Sequence, residues 1–324
     1  MTHAIRIHAT GGPEVMRWEE VSVGETAPNE ARVRHAAVGL NFIDVYFRSG
    51  RYPLQLPSGL GLEGAGVVEA VGSAVTDVQV GDRVAYAGGP PGAYAEVRNI
   101  PADRLVTLPD SIDFKTAAAM MLQGMTAQYL LRRTYRVQAG DTILIQAAAG
   151  GVGLIVCQWA KALGATVIGT VSSDAKAALA KAHGCDHPII YTREDFVARV
   201  KEITGGEGVP VVYDSVGADT FAKSLDCLRP LGMMVTFGQS AGPVAPVDTQ
   251  ELSKRGSLFL TRPTLFTYIA KRSDLLATAQ ELFDVVTSGK VKIEVNQTYA
   301  LKDAAQAHID LESRRTTGST ILLP

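Results

Sequence analysis

Between Thr142 and Gly238 apolar runs and helical segments take turns, and few folds accept that alternation. Ile143-Leu144-Ile145-Gln146 leads into a helix starting near Gly151, and Thr166 to Val171 precedes a helix from Asp174 to Ala182. Ile189-Ile190-Tyr191 comes before a helix near Glu194, and Val211 to Asp214 before one near Asp219. Met233 to Gly238 makes a fifth strand. Strands covered on both faces read as apolar runs, and an intervening helix carries the chain back to begin the next parallel strand. The repeat predicts an α/β fold built on a doubly wound parallel sheet.

The turn after the first of these strands reads Ala147-Ala148-Ala149-Gly150-Gly151-Val152-Gly153. Free N–H groups and the helix dipole both favour a phosphate at a helix N-terminus, and glycine lets backbone approach it. Ala149, Gly150, Gly151 and Val152 are the expected pyrophosphate contacts, and Phe237 and Gly238, at the tip of the fifth strand, are further candidates for binding the cofactor. Ala148 stands where the dinucleotide fingerprint usually has its first glycine. Glycines in a strand–helix turn are often purely structural, but the repeating units around this one favour a nucleotide site.

The next strand ends in Val171-Ser172-Ser173, with hydroxyls where a carboxylate would bind a free ribose 2′-hydroxyl. Lys176 lies one turn into the following helix, where its ammonium can meet a 2′-phosphate or simply be a solvated lysine. The cofactor expected from this tip is NADPH. Asp174 argues the other way, but as a helix-start residue it is expected to turn toward backbone N–H groups.

Outside this stretch the texture differs. Residues 1 to about 115 are short strands and turns, with Glu30 to Val38 alternating at period two and Gly88-Gly89-Pro90-Pro91-Gly92 forming a tight loop. Phe114 to Tyr135 reads as helix. From about 266 the chain offers two helical segments and the short strand Ser319 to Leu322, too little to fold alone and expected to pack back on the N-terminal domain. The expected division is residues 1–120 with 266–324 in one domain and 121–265 in the dinucleotide domain. Ser257 to Thr261 is a further strand candidate at the end of the latter.

Several segments together resemble the quinone oxidoreductases of the zeta-crystallin type, in the medium-chain dehydrogenase/reductase superfamily. They are Asn41-Phe42-Ile43-Asp44 with Arg48-Ser49-Gly50, Gly61-Leu62-Glu63-Gly64-Ala65-Gly66, Ala147 to Gly153, Tyr213 to Gly217 and Leu311-Glu312-Ser313-Arg314. The resemblance implies a GroES-like, mainly β catalytic domain made from both ends of the chain, with a Rossmann domain inserted. It also implies that Asn41 borders the nicotinamide, that Ser173, Lys176 and Tyr191 surround the adenosine phosphate, and that Arg314 reaches the cofactor. Each has a plainer alternative: Asn41 as a turn cap, Tyr191 as a strand-end aromatic, Arg314 paired with Glu312. Tyr46 and Tyr52, with Asn41, are candidates for the wall of a substrate pocket in the cleft between the domains, core packing being the alternative.

Zinc-containing relatives carry cysteine and histidine at the positions held here by Asn41 and Leu62, and neither present side chain can replace a thiolate or imidazole on Zn²⁺. Cys157, Cys185 and Cys227 are scattered, with none before residue 157, so a four-cysteine structural zinc lobe is excluded as well. They read as reduced thiols of a cytoplasmic protein. Lys+Arg number 31 against Asp+Glu 33, which leaves no basic footprint for nucleic acid. No run reaches the length of a membrane span, and nothing at the N-terminus resembles a signal peptide. The expectation is metal-free, NADPH-dependent reduction of a small-molecule quinone by a homodimer. The alternatives are reduction of α,β-unsaturated aldehydes or ketones, and a non-catalytic NADPH-binding protein with a structural or RNA-binding role.

Overall fold

The structure is a computed structural model that describes all 324 residues, and the chain divides into two compact units. One comprises Thr126–Tyr268 with Ser288–Lys292; the other comprises Met1–Met125, Ile269–Thr287 and Ile293–Pro324. No helix is long and apolar enough to cross a membrane.

The first-named unit holds six parallel strands in the spatial order His187–Ile190, Thr166–Val171, Thr142–Ile145, Val209–Asp214, Leu228–Thr236, Phe259–Thr261. The order reverses beside Thr142–Ile145, so the crevice at its carboxyl end is the topological switch point, where ligands bind in sheets of this kind. Leu144, Ile168, Val212 and Met234 are buried in one core with Phe196, Val200 and Leu225 of the covering helices. The fifth strand starts earlier than the sequence suggests, and the last pairs through Phe259, Leu260 and Thr261 with Met233, Met234 and Val235.

Glycine explains how the phosphate turn tolerates Ala148. A Cβ on Gly169, in the neighbouring strand, would lie 2.5 Å from the Cβ of Ala148 and 2.8 Å from Cys185 Sγ. Space that the fingerprint normally gains within the turn is supplied here by the strand beside it. Gly153 has the usual role: a Cβ there would collide with the Ala147 carbonyl oxygen, so helix and strand approach as only glycine permits.

In the other unit the strand Glu30–Leu40 is central. It pairs antiparallel with Glu63–Val71, with Val97–Pro101 and with the C-terminal strand Ser319–Leu323. The chain's end thus packs on the N-terminal sheet, as the sequence leads one to expect, through Thr320 opposite Leu40 and Leu322 opposite Val38. A strand not apparent in the sequence, Val295–Ala300, flanks it in parallel. Ile5, Ile7, Val33, Val38, Leu60 and Tyr86 are among the side chains of the core.

The fit between Ala148 and Gly169 is testable. Gly169→Ala should destabilise the protein by about 1–3 kcal/mol, the range for overpacking a filled core. Adding Ala148→Gly should recover much of that loss in thermal or urea unfolding.

Candidate active site

Asn41 ends the strand Glu30–Leu40 and opens the helix Phe42–Arg48. Its backbone N–H donates to Asp44 Oδ2 at 2.9 Å and its side chain faces the Asp44 N–H, the two halves of a capping box; the Asn41 amide also reaches beyond the helix. Asn41 Nδ2 donates to Glu63 Oε2 at 2.7 Å, and Gln123 Nε2 donates to Asn41 Oδ1 at 3.1 Å. Ser319 Oγ donates toward Gln123 Oε1 at 2.7 Å and lies 2.8 Å from the Ala119 carbonyl. Glu63 Oε1 accepts from the Leu122 N–H at 2.7 Å. All four side chains are buried, Glu63 completely. Burial pushes the Glu63 carboxyl up to about 8, against the opposing pull of the Asn41 and Leu122 hydrogen bonds. Gly39 makes room for it, since a Cβ there would collide with Glu63 Oε2.

A second chain of bonds runs beneath the same helix. Tyr94 donates its hydroxyl to Asp44 Oδ2 at 2.9 Å and lies 3.0 Å from His308 Nε2, while Arg48 Nη1 lies 3.0 Å from His308 Nδ1. Arginine can only donate, so Nδ1 accepts and the proton of neutral His308 sits on Nε2, pointing at Tyr94. Burial, then the nearby Arg48 charge, holds His308 down to about 3, in keeping with that neutral form. Arg48 is itself buried and grips Glu312 with two bonds of 2.8 and 3.0 Å. Glu312 is thus held by Arg48. Asp44 is pushed up to about 7 by burial.

Tyr46 and Tyr52 meet edge to face at 5.3 Å, with the Tyr52 N–H donating to the Tyr46 carbonyl at 3.1 Å. Phe47 packs on Tyr52 at 5.6 Å, so both tyrosines take part in an aromatic cluster. Arg314 follows the helix Ala304–Glu312, exposed and in the left-handed region at φ 58°.

On the nucleotide-binding unit, Gly150 precedes the helix Gly151–Ala162 without a side-chain cap, with Ala149 buried just before it and Val152 in the first turn. Gln146 holds the turn: its Oε1 accepts from Thr170 Oγ1 at 2.5 Å and its Nε2 donates to Ser224 Oγ at 3.0 Å. Ser224 in turn donates to Asp214 Oδ2 at 2.9 Å, and Asp214 Oδ1 takes the N–H groups of Val216 and Gly217. Phe237 donates its N–H to the Asp214 carbonyl, and a Cβ on Gly238 would crowd the Ser215 carbonyl at 2.6 Å.

At the next strand tip Ser173 is the helix N-cap, its hydroxyl accepting from the Lys176 N–H at 3.4 Å. Asp174 is accordingly not the cap; its carboxylate is held mainly by Arg193 through bonds of 2.9 and 2.6 Å, with a smaller contribution from its own backbone N–H. That pairing holds Asp174 below the usual carboxylate range. Ser172 is tied to the following loop through Thr192 Oγ1 at 3.2 Å, and Tyr191 donates its N–H to Val171. Ser172, Ser173, Lys176, Tyr191 and Arg193 thus gather where the two strands end. Nothing in the sequence singles out Arg193. No group of three or more histidine, cysteine or acidic residues suits a metal, and all three cysteines are buried free thiols.

Comparison with known proteins agrees with both units. Residues 27–110 match the alcohol dehydrogenase GroES-like domain and residues 151–281 the family described as zinc-binding dehydrogenase. A quinone oxidoreductase of Pseudomonas aeruginosa is 56% identical, with 100% of each chain covered. A 2-haloacrylate reductase of a Burkholderia species is 48% identical over 100% of this chain and 99% of its own. The crystal structure of the Escherichia coli quinone oxidoreductase complexed with NADPH superposes with a TM-score of 0.98 at 51% identity, covering 99% of this chain and 100% of that one.

The buried groups around Asn41 give stability a definite pH dependence. Asp44 and Glu63, raised to about 7 and about 8, contribute stability that is complete below their unfolded values of 3.8 and 4.5 and is lost as pH rises through the folded ones. His35 and His308, lowered from 6.5 to about 4 and about 3, contribute stability that is lost as pH falls through that window. The two effects oppose each other between roughly pH 4.5 and 6.5, and only the carboxyls act above it. Melting temperature should decline above roughly pH 6.5, where the histidines no longer offset the carboxyls. Glu63→Gln should make the decline shallower; an unchanged slope would contradict the assignment.

Proposed function

The chain belongs to the zinc-free quinone oxidoreductases of the medium-chain dehydrogenase/reductase superfamily, and from that premise we propose that it reduces quinones with NADPH by hydride transfer without a metal. The observation that carries the reading is the presence in one chain of a nucleotide crevice and of a polar site in which Asn41 and Leu62 replace metal-ligating residues. An unactivated ketone needs a Lewis acid or a strong donor for its developing alkoxide. A quinone is already electrophilic, and its reduced oxygen is delocalised onto an aromatic ring.

Features of the chain fit the nucleotide. The uncapped N–H groups of the Gly151–Ala162 helix suit a pyrophosphate held against Ala149, Gly150, Gly151 and Val152. Thr236 Oγ1, buried without a partner, lies at the same end of the sheet as Phe237 and Gly238. Bound NADPH supplies the hydride, two electrons with one hydrogen nucleus, and one further proton completes reduction of a quinone to a hydroquinone. Ser172, Ser173, Lys176 and Tyr191 form the 2′-phosphate site, Arg193 neutralises Asp174, a carboxylate that would repel it, and Arg314 completes the set of cofactor contacts. Asn41, Tyr46 and Tyr52 form the wall against which the acceptor lies.

A second reading, a conjugated carbon–carbon double bond as acceptor, is favoured by the similarity to the 2-haloacrylate reductase. Following NADPH oxidation with a quinone, an enone and a haloacrylate in turn separates the two. Quinone turnover should survive dialysis against a chelator; activity lost with a tightly bound metal would overturn the metal-free assignment.

Cofactor choice has its own test. Lys176→Ala should weaken NADPH by about 1–3 kcal/mol, the range for a charge-assisted bond, and barely affect NADH. Arg193→Ala should also favour NADH, because it leaves Asp174 uncompensated, and Asp174→Ala in that background should restore NADPH binding. Equal losses for both cofactors would remove these residues from the 2′-phosphate site.

We further propose a cytoplasmic homodimer, joined through the sheet edge at Phe259–Thr261. Phe259 is 58% exposed there and Leu231 67% exposed, an apolar edge that otherwise invites uncontrolled pairing. Sedimentation should give a dimer, and Phe259→Asp a monomer; a monomeric parent protein would refute the proposal.

A further inference from the structure

We propose that Glu63, Gln123 and Ser319 are positioning residues for hydride transfer: they fix which end of the Asn41 amide faces the acceptor, and so present its second N–H to the oxygen being reduced. The inference rests on the functional reading above, which sets Asn41 beside the acceptor.

The order of donors along the chain is set from one end. The Leu122 N–H is fixed in the backbone and occupies Glu63 Oε1, leaving Oε2 to face Asn41 at 2.7 Å. An ionised carboxylate only accepts, so Asn41 must turn Nδ2 toward it. Oδ1 then faces Gln123, which must offer Nε2, and Gln123 Oε1 takes the Ser319 hydroxyl. Asn41 Nδ2 has two N–H groups, of which one goes to Glu63. The other is offered to a ligand. Zinc-containing relatives place a metal ligand at position 41; here an amide N–H is the electrophilic group at that position.

The same four side chains have one other self-consistent order. If Glu63 is protonated, its O–H donates to Asn41 Oδ1, Asn41 Nδ2 to Gln123 Oε1, and Gln123 Nε2 to Ser319 Oγ. The Ser319 hydroxyl then donates to the Ala119 carbonyl, 2.8 Å away. The bonds among these four side chains are all kept, but the Asn41 oxygen turns away from the Asp44 N–H of the capping box, and the free N–H of Asn41 moves to the other side. The acceptor oxygen would meet a lone pair where it needs a donor. Asp44, Tyr86 and Tyr94 are the other titratable groups whose fields couple to Glu63, and no cation is among them.

Glu63→Gln isolates this effect. The Leu122 N–H demands the carbonyl oxygen of the new side chain, so its amide N–H must donate to Asn41 Oδ1 and lock the reversed order. Gln123→Glu does the same from the opposite end, because an acceptor there draws Asn41 Nδ2 toward it. Each variant should lose about 10- to 100-fold in kcat for quinone reduction, below the full effect of deleting an oxyanion donor. NADPH affinity by fluorescence titration should be unchanged for both. The double variant should be no slower than the slower single one, since both impose the same order. Wild-type kcat should rise with pH as Glu63 ionises, a rise absent from Glu63→Gln.

A wild-type protein that does not oxidise NADPH with any quinone would defeat the functional reading instead. An active wild type whose Glu63→Gln and Gln123→Glu variants keep its kcat overturns this inference. So do additive losses in the double variant, or a Glu63→Gln pH profile that still rises, which would assign the titration to Asp44.

Discussion

Glu63 is completely buried and no cation is among the groups that set its charge, so that charge has to be met by neutral dipoles or lost to a proton. That requirement organises one end of the sheet around it. Gly39 leaves the space, the backbone at Leu122 supplies one N–H, and Asn41 supplies another. Gln123 and Ser319 follow because each buried amide left half-satisfied would cost about 1–3 kcal/mol. A carboxylate that looks like an unfavourable choice in a strand thereby fixes one side chain, Asn41, to a degree that packing alone does not achieve. The Tyr94–His308–Arg48–Glu312 chain serves the same helix from below, tying it to the helix Ala304–Glu312. The C-terminal segment therefore does more than complete a sheet.

The nucleotide-binding unit applies similar logic with different parts. Gln146, Thr170, Ser224 and Asp214 form a connected set of polar bonds beneath the phosphate turn. They hold the loop where the strand order reverses, and Ala147 in the left-handed region at φ 57° belongs to the resulting tight turn. Alanine can stand in place of the fingerprint's first glycine here because Gly169 has taken over the role of making room. In the proposed assignment, discrimination between cofactors falls to a surface cluster in which Asp174 is already paired with Arg193.

Much of this is legible in the sequence, and what is not has a common cause. The parallel strands and their helices announce themselves through local periodicity, and the resemblance locates Asn41 and the phosphate turn. The strand Val295–Ala300 is a half-exposed edge rich in polar residues, with no apolar run to mark it. Glu63, Gln123 and Ser319 leave no local signal because they converge from segments 22, 82 and 196 residues apart along successive bonds. Arg193 lies 19 residues beyond Asp174 and meets it only because two parallel strands end side by side. Gly39, next to the end of its strand, is the available clue, since glycine inside a strand marks a close approach by something else. The position of Asp174 at a helix start favours capping, but Ser173 occupies the cap first.

The proposed reaction draws on a nucleotide crevice made of backbone and small residues in one unit, and on an amide held by buried hydrogen bonds in the other. The claim common to both is direct, metal-free transfer of hydride to an electrophilic acceptor. The most direct measurement is the deuterium isotope effect on kcat/KM for quinone reduction, using NADPH labelled in turn at each C4 position and chelator-treated protein. A normal primary effect is expected for one label only, with hydroquinone formed in a single two-electron step. No primary effect from either label, together with a free semiquinone detected by electron paramagnetic resonance, would contradict it.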